Sequence, residues 1–548
     1  MSSWRIQPPL IPEAEIRFTH TADVVVVGLA HAGSAALRAA AECGCKVIGI
    51  EEKKDKTFSV WGADVGHINS KFLESRGVPK VDPIDYYNEI QRRALGRANP
   101  GLMMRFAQKS GENFDWYTDM VEDFSTVYTP FWPGGSRFDG EMAGFRFWPG
   151  TAQFGQPTGL MGPGMAELGD KLTFEALVEE VRTRPSLMGL ARANQQKAID
   201  LGGQTLFGMT AVNIVKEDGR VTGVLAEDRN GEIHLFAARK AVILAAGGFQ
   251  GNGEMLDELL PDYKGIFCGD EHFSSGSGGS GMGIRLGVWA GGRLEAGPIA
   301  VMGGTYHTLR GLNCIHGLLW LDPKGKRYCN ECFGDPVIAG SPGNQMRRGT
   351  YYNIFDSGIF EDLQWAVPAH EGFDLGGPAC TELLEDAMEQ ARAAGKGGVL
   401  ARASHSKVRI ICGRDMEELL DNAELTGEVR ENVKNSILRY NELCRRGRDE
   451  DFGKEAKLLR PLDRWPLYIQ FNTFHDVGRM MCTCGGLLTD ETQNVLDADY
   501  EPIPGLYATG NCCGRRFGPQ YTTPTAGLSI GMAVTLGREA GREAASGG

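Results

Sequence analysis

Four consecutive valines at positions 24–27 follow Asp23 and stop at Gly28, and residues 34–41 are rich in alanine. A short unbroken apolar run closed by a turn residue predicts a strand buried on both faces of a parallel sheet, and the alanine run predicts a helix packed on it. The same pattern returns at residues 46–50, which end in Glu51, and at 241–246, which run into Gly247 and Gly248. Between them, residues 188–201 predict a helix, 205–207 and 234–237 strands, and 211–216 with 221–227 a hairpin across Asp218-Gly219. Apolar positions at helical spacing predict helices over 83–95 and 102–117, and again over 381–394, 415–423 and 428–446. Strands alternating with helices predict an α/β fold. From about residue 305 the chain becomes a block with helices of its own, and near 480 the glycine-rich style returns. The expected organisation is an extended arm (1–20), a first domain (21–304), an inserted domain (305–475) and the completion of the first (476–548).

At 548 residues the chain is longer than one core serves. With 42% hydrophobic and 23% charged residues, wholesale disorder is excluded. A net charge of −13 with no basic block removes nucleic acid from the expected partners. No apolar run reaches the roughly 18 residues of a membrane span, and residues 1–20 lack the apolar core of a secretory signal. Thirteen cysteines suit free thiols in a reducing compartment, so the cytoplasm is the expected location.

The opening strand, turn and helix have the form that holds a dinucleotide pyrophosphate in a Rossmann-like domain. Gly28 permits the tight turn, Ala30 stands where backbone nears phosphate, and Gly33 lets helix and strand approach. The helix N-terminus offers free N–H groups and roughly half a positive charge. Glu51, about 20 residues on, is placed for the ribose hydroxyls. Taken alone, this motif serves NAD, FAD or neither. Small residues over 57–66, among them Ser59, Gly62 and Ala63, suit close backbone contact with a ligand.

Further stretches follow in order. They are Ala241-Val242-Ile243-Leu244-Ala245-Ala246-Gly247-Gly248-Phe249 with Asn252, then Ser280-Gly281-Met282-Gly283, then Arg439-Tyr440-Asn441 with residues 447–454. The last are Gly505-Leu506-Tyr507-Ala508-Thr509-Gly510-Asn511 and Leu528-Ser529-Ile530-Gly531. Together these resemble the flavoprotein subunits of the fumarate reductase and succinate dehydrogenase superfamily, which also holds 3-ketosteroid dehydrogenases and anaerobic C=C reductases. The resemblance implies a Rossmann-like FAD-binding domain interrupted by an α+β capping domain, with substrate held between cap and flavin. It implies FAD contacts at Gly28, Ala30, Gly33, Glu51 and Glu52, at Ser59, Gly62 and Ala63, and at Val212, Ala246, Gly247 and Gly281. The flavin half would meet Gly510, Asn511, Ser529 and Ile530. The implied chemistry is hydride transfer from flavin N5 to one carbon of an activated double bond, with protonation of its neighbour by a protein group.

The chain departs from fumarate reductases where substrate would bind. The place of their catalytic arginine falls on Gly334, and their "HHTMGG" becomes Met481-Cys482-Thr483-Cys484-Gly485-Gly486. Their substrate-clamping arginine falls near Tyr521. These replacements argue against a dicarboxylate. The turn Tyr521-Thr522-Thr523-Pro524-Thr525 instead resembles that of 3-ketosteroid dehydrogenases, whose tyrosine donates to a ketone oxygen, with Thr525 in the place of a glycine. A neutral phenol bonds a ketone but does not neutralise a carboxylate. The expectation is therefore an enone, steroid-like in the sharpest version, with Tyr521 and Arg516 as catalytic candidates. The same scaffold running oxidatively, and an electron-relay subunit of a complex, stand as alternatives. With a single dinucleotide motif, the electron partner is expected to be a separate protein or small flavin carrier. The pairs Cys329/Cys332, Cys482/Cys484 and Cys512/Cys513 lie in segments that the family fold brings near the site. They are candidate iron–sulfur ligands, against the alternative of buried thiols filling glycine-rich turns.

Overall fold

Val25 and Val27 face one core and Val24 and Val26 another, which is why the run shows no polar alternation. The computed structural model describes residues 2–60, 62, 64–129, 141–142, 145–154, 174–261, 279–304, 318–331, 349–362, 378–394, 398–401, 407–474 and 479–547. The valines belong to the strand Ile16–Val27, which pairs in parallel with Val47–Glu51 on one side and Ile233–Leu244 on the other. Gln204–Phe207 extends the sheet in parallel beyond Val47–Glu51, and Pro502–Ala508 beyond Ile233–Leu244. Asn494–Leu496 closes that edge, while the hairpin Thr210–Glu217/Arg220–Glu227 pairs antiparallel to Ile233–Leu244, giving eight strands. The hairpin turns where the Asp-Gly pair predicts, with φ of 47° at Asp218 and 83° at Gly219.

The opening strand starts at Ile16, earlier than the valine run suggests, and 233–244 is one strand where two short ones were expected. Polar residues at 19–21 hide this extension, which is held by the register Thr19↔Leu235 and by His20 stacked on Phe236 with ring centroids 4.6 Å apart. The segment before it is docked on the helix Gly253–Leu259: Trp4 is 2% exposed and its indole Nε1 donates to Glu258 at 2.7 Å.

Helix His31–Glu42 covers one face of the sheet, and the last helix, Leu528–Ser546, lies against it. The approach leaves no room for side chains. A Cβ at Gly537 would sit 2.5 Å from the Ala32 carbonyl oxygen, and one at Gly541 would sit 2.4 Å from that of Ala36.

A second sheet of five antiparallel strands has the order Leu319–Leu321, Gly349–Asp356, Leu467–Phe474, Lys407–Gly413, Gly398–Ala401. Leu384, Met388 and Ala391 of helix Pro378–Ala394 pack on one face, and Val433, Ile437 and Tyr440 of helix Gly427–Arg446 on the other. Asn441 exchanges two hydrogen bonds with the Leu462 backbone. Arg327 pairs with Glu331 and Asp449, each at 2.8 Å, inside a buried group that includes Lys454. Burial pushes the Asp449 carboxyl up, but the Arg327 guanidinium and backbone N–H groups outweigh it and hold the pKa near 2. The Arg439-to-Lys454 stretch thus fastens this sheet's helix. Among the described residues no helix is long and apolar enough to cross a membrane.

A side chain at the helix crossing must push two backbones apart, and overpacking of this kind costs about 1–3 kcal/mol. Gly541→Val is expected to lower the unfolding free energy by that amount and to reduce the flavin retained on purification, as read by denaturant titration and flavin absorbance.

Candidate functional site

Gly28 leaves the valine strand with φ of +93°, and a Cβ there would lie 2.6 Å from the Ala245 carbonyl oxygen. Gly33 comes closer still to the turn: its Cβ would sit 1.8 Å from the Gly28 carbonyl oxygen. The turn is pinned from inside. Ser34 Oγ and Gln195 Nε2 donate to the Leu29 carbonyl at 2.6 and 2.9 Å, and the Leu29 N–H donates to Glu51 Oε2 at 3.0 Å. Glu51 also accepts from the Lys53 N–H at 3.1 Å and is 8% exposed. Its oxygens, with about four lone-pair positions, still have room for ribose hydroxyls. Burial, with Glu51 alongside, raises the Glu52 pKa; burial lowers that of Lys53, whose amine reaches Ser59 Oγ at 3.3 Å.

A cavity of about 250 Å³ runs from this turn to the start of the last helix. Gly28, Ala30, Glu51, Glu52, Ser59 and Gly62 line one end. Ala246, Gly247, Gly510, Asn511, Ser529 and Ile530 line the remainder, together with Tyr521. Gly33 lies beneath, where its task is packing. Gly281 starts the helix Met282–Trp289, and its neighbours Ser280 and Met282 line the wall in its stead. Val212 is not in the lining, whereas Ala211 and Met209 are. Ala63, Cys332, Gly334, His307, His316 and His475 lie outside the described residues. The sequence reading did not single out His31, Asp64, Gln250 or Met302, which also line the cavity. Asp64 had a signal, since it follows Gly62 in the small-residue stretch.

Tyr521 is fully buried, and its phenol oxygen accepts the Ser529 N–H at 3.1 Å, at the N-terminus of the last helix. Burial raises its pKa further, so it is a neutral donor at neutral pH. The two arginines that follow Gly514 part company. Arg515 is exposed, whereas Arg516 is 0% exposed and lies behind the cavity wall. Its Nε donates to the Cys513 carbonyl at 3.1 Å and its Nη2 to Asn511 Oδ1.

The cysteines do not act as one group. Cys329 packs in the core of the second sheet, and Cys512 donates its thiol to the Gly247 carbonyl at 3.2 Å. Burial pushes the Cys512 thiol up to about 12 and that of Cys513 to about 11, so both are protonated fillers of glycine-rich turns. Among the described residues no three His, Cys, Asp or Glu side chains are grouped to hold a metal ion.

A family model described as the FAD binding domain matches residues 23–528. The chain belongs to this FAD-binding family. It is 26% identical to a vinyl phenol reductase of Lactiplantibacillus plantarum, over 95% of this chain and 96% of that protein. It is also 26% identical to the cytochrome-type fumarate reductase of Shewanella frigidimarina, over 96% of this chain and 77% of that one. The fold is that of the 3-ketosteroid-Δ4-(5α)-dehydrogenase of Rhodococcus jostii RHA1, with a TM-score of 0.64 at 21% identity, covering 98% of this chain and 100% of that one. The chain is therefore an FAD-dependent oxidoreductase. The cavity suits the cofactor: two helices, starting at His31 and Leu528, turn their N-termini towards it, and a Cβ at Gly247 would project into open space.

Glu295 stands at the cysteine-rich end, accepting the Gly486 and Arg515 N–H groups at 3.0 Å each. Burial pushes its pKa to about 7, against the opposing pull of those N–H groups and of Arg516. The folded state therefore holds a proton that the unfolded chain releases near 4.5. Stability from this group is complete below that pH and is lost as pH rises through about 7. The difference in unfolding free energy between wild type and Glu295→Gln is expected to fall over that window; the slope with pH is the readout.

Proposed function

We propose that the protein reduces a C=C bond conjugated to a ketone, with Tyr521 hydrogen-bonding the ketone oxygen. The observation that carries this reading is the fully buried Tyr521 phenol in the wall of the FAD cavity, bonded to the first turn of the last helix. Bound FAD supplies the hydride. The chain's residues do the remaining work. Glu51 and the turn at Gly28 would hold the ADP half, and Gly510, Asn511 and Ser529 the flavin half. As the alkene carbon gains hydride, charge develops on the ketone oxygen. A preorganised phenol backed by an amide N–H stabilises that charge without reorganisation, which is where such donors act most strongly. Residues 305–475 are proposed to cap the substrate and exclude water, which strengthens this bond. A cytoplasmic setting and a separate electron donor, protein or small flavin carrier, complete the proposal.

The similarity to a vinyl phenol reductase along nearly the full length of both chains favours a second reading. In it the alkene is conjugated to an aromatic ring carrying a hydroxyl, and Tyr521 bonds that oxygen.

Tyr521→Phe removes one hydroxyl and keeps the ring. It is expected to slow reoxidation of the reduced holoprotein by a cyclic enone about 100-fold, in the range of a lost acid–base or donor group. Flavin content should remain that of the wild type. Unchanged kinetics, measured by anaerobic stopped flow, would remove Tyr521 from the reaction.

A further inference from the structure

Cys482 and Cys484 lie on one side of the backbone, with Thr483 turned the other way to accept the Phe249 N–H at 2.9 Å. Residues i and i+2 share a face in extended chain, and here the two Sγ atoms are 3.7 Å apart. A disulfide is ~2 Å long, so closing this pair needs the short stretch between the two cysteines to contract, with no movement of separate elements. Cys482 lines the FAD cavity, while Cys484 sits behind it at 1% exposure.

Arg516 supplies the second observation. Its guanidinium is fully buried, its Nη1 has no hydrogen-bond partner, and no carboxylate pairs with it among the described residues. A buried charge without an ion-pair partner is unfavourable. Its field reaches Glu295 and both Cys482 and Cys484, and it favours a thiolate at the cavity wall. The Cys484 thiol lowers the Cys482 pKa and, with Arg516 and Asn511, outweighs the opposing effect of burial, while the pKa of Cys484 is raised. Cys482 on the cavity wall is thus the more readily ionised member of the pair and Cys484 behind it the less, the order a dithiol needs for oxidation.

We propose that Cys482 and Cys484 are a redox-active dithiol that exchanges an electron pair with FAD bound in this cavity. The inference rests on FAD occupying the cavity and is independent of which alkene is reduced. The step balances. The Cys482 thiolate and the Cys484 thiol form an S–S bond, Cys484 gives up its proton, and FAD takes the electron pair with one proton to become the reduced anion. The reverse step breaks the S–S bond and returns thiolate and thiol. A soluble dithiol, itself oxidised to a disulfide, restores the pair without drawing on the flavin. Arg516 is a positioning residue that holds the thiolate.

The test is anaerobic dithionite titration of the FAD-loaded, air-oxidised protein as wild type, Cys482→Ser, Cys484→Ser and Arg516→Lys. Wild type is expected to take up twice as many electrons per flavin as either serine variant. Partly reduced wild type should show a broad long-wavelength band from a thiolate beside oxidised flavin, absent in Cys482→Ser and retained in Arg516→Lys. Should a serine variant lose its flavin, peptide mass analysis of the wild type decides: the peptide carrying both cysteines should resist alkylation until reduced. Equal electron uptake in all four proteins, extra uptake that persists in both serine variants, or full alkylation of the air-oxidised wild type would overturn the proposal.

Discussion

The structure depends on how closely two helices from opposite ends of the chain can approach. His31–Glu42 and Leu528–Ser546 cross with Gly537 and Gly541 against the carbonyls of Ala32 and Ala36. Gly33 in turn presses on the Gly28 carbonyl. These are backbone-to-backbone approaches, tolerant of no side chain, and they fix the two helix N-termini relative to each other. Both N-termini open on the same cavity. The dinucleotide turn therefore anchors more than its own ligand end: through the crossing it also sets where Ser529, and the phenol bonded to it, stand.

Much of this was legible in the sequence. The valine run predicts a doubly covered strand, and both faces are covered. The Asp-Gly hairpin and the alanine helix read correctly because their information is local. The resemblance implied an α+β domain here, but the strands of the second sheet were not read from the residues. Gly349–Asp356 carries Asn353 and Leu467–Phe474 carries Gln470, both buried, which interrupt the apolar pattern, and their pairing spans more than a hundred residues of chain. Arg515 and Arg516 are likewise alike on paper. Only the tertiary fold sends one to solvent and encloses the other. The Arg439-to-Lys454 stretch was read as a mark of family; its residues bond one another and the second sheet's helix.

The cysteines show how one residue type is put to different uses. Cys512 and Cys513 are held protonated by burial and fill narrow turns, and Cys329 is a core residue. Cys482 alone among these meets the cavity with a second thiol within reach and, behind it, a buried guanidinium whose Nη1 has no hydrogen-bond partner. The cavity wall thus carries a phenol from Tyr521 and a thiol from Cys482, brought there by separate segments of the chain. Neither is a group that clamps a carboxylate, in keeping with the proposed ketone or phenol oxygen as ligand.

The measurement that tests this account most directly is anaerobic mixing of the reduced holoprotein with a cyclic enone and, separately, with fumarate, following flavin absorbance. The account predicts rapid reoxidation by the enone and none by fumarate above the buffer control. Reoxidation by fumarate with an inert enone would contradict it.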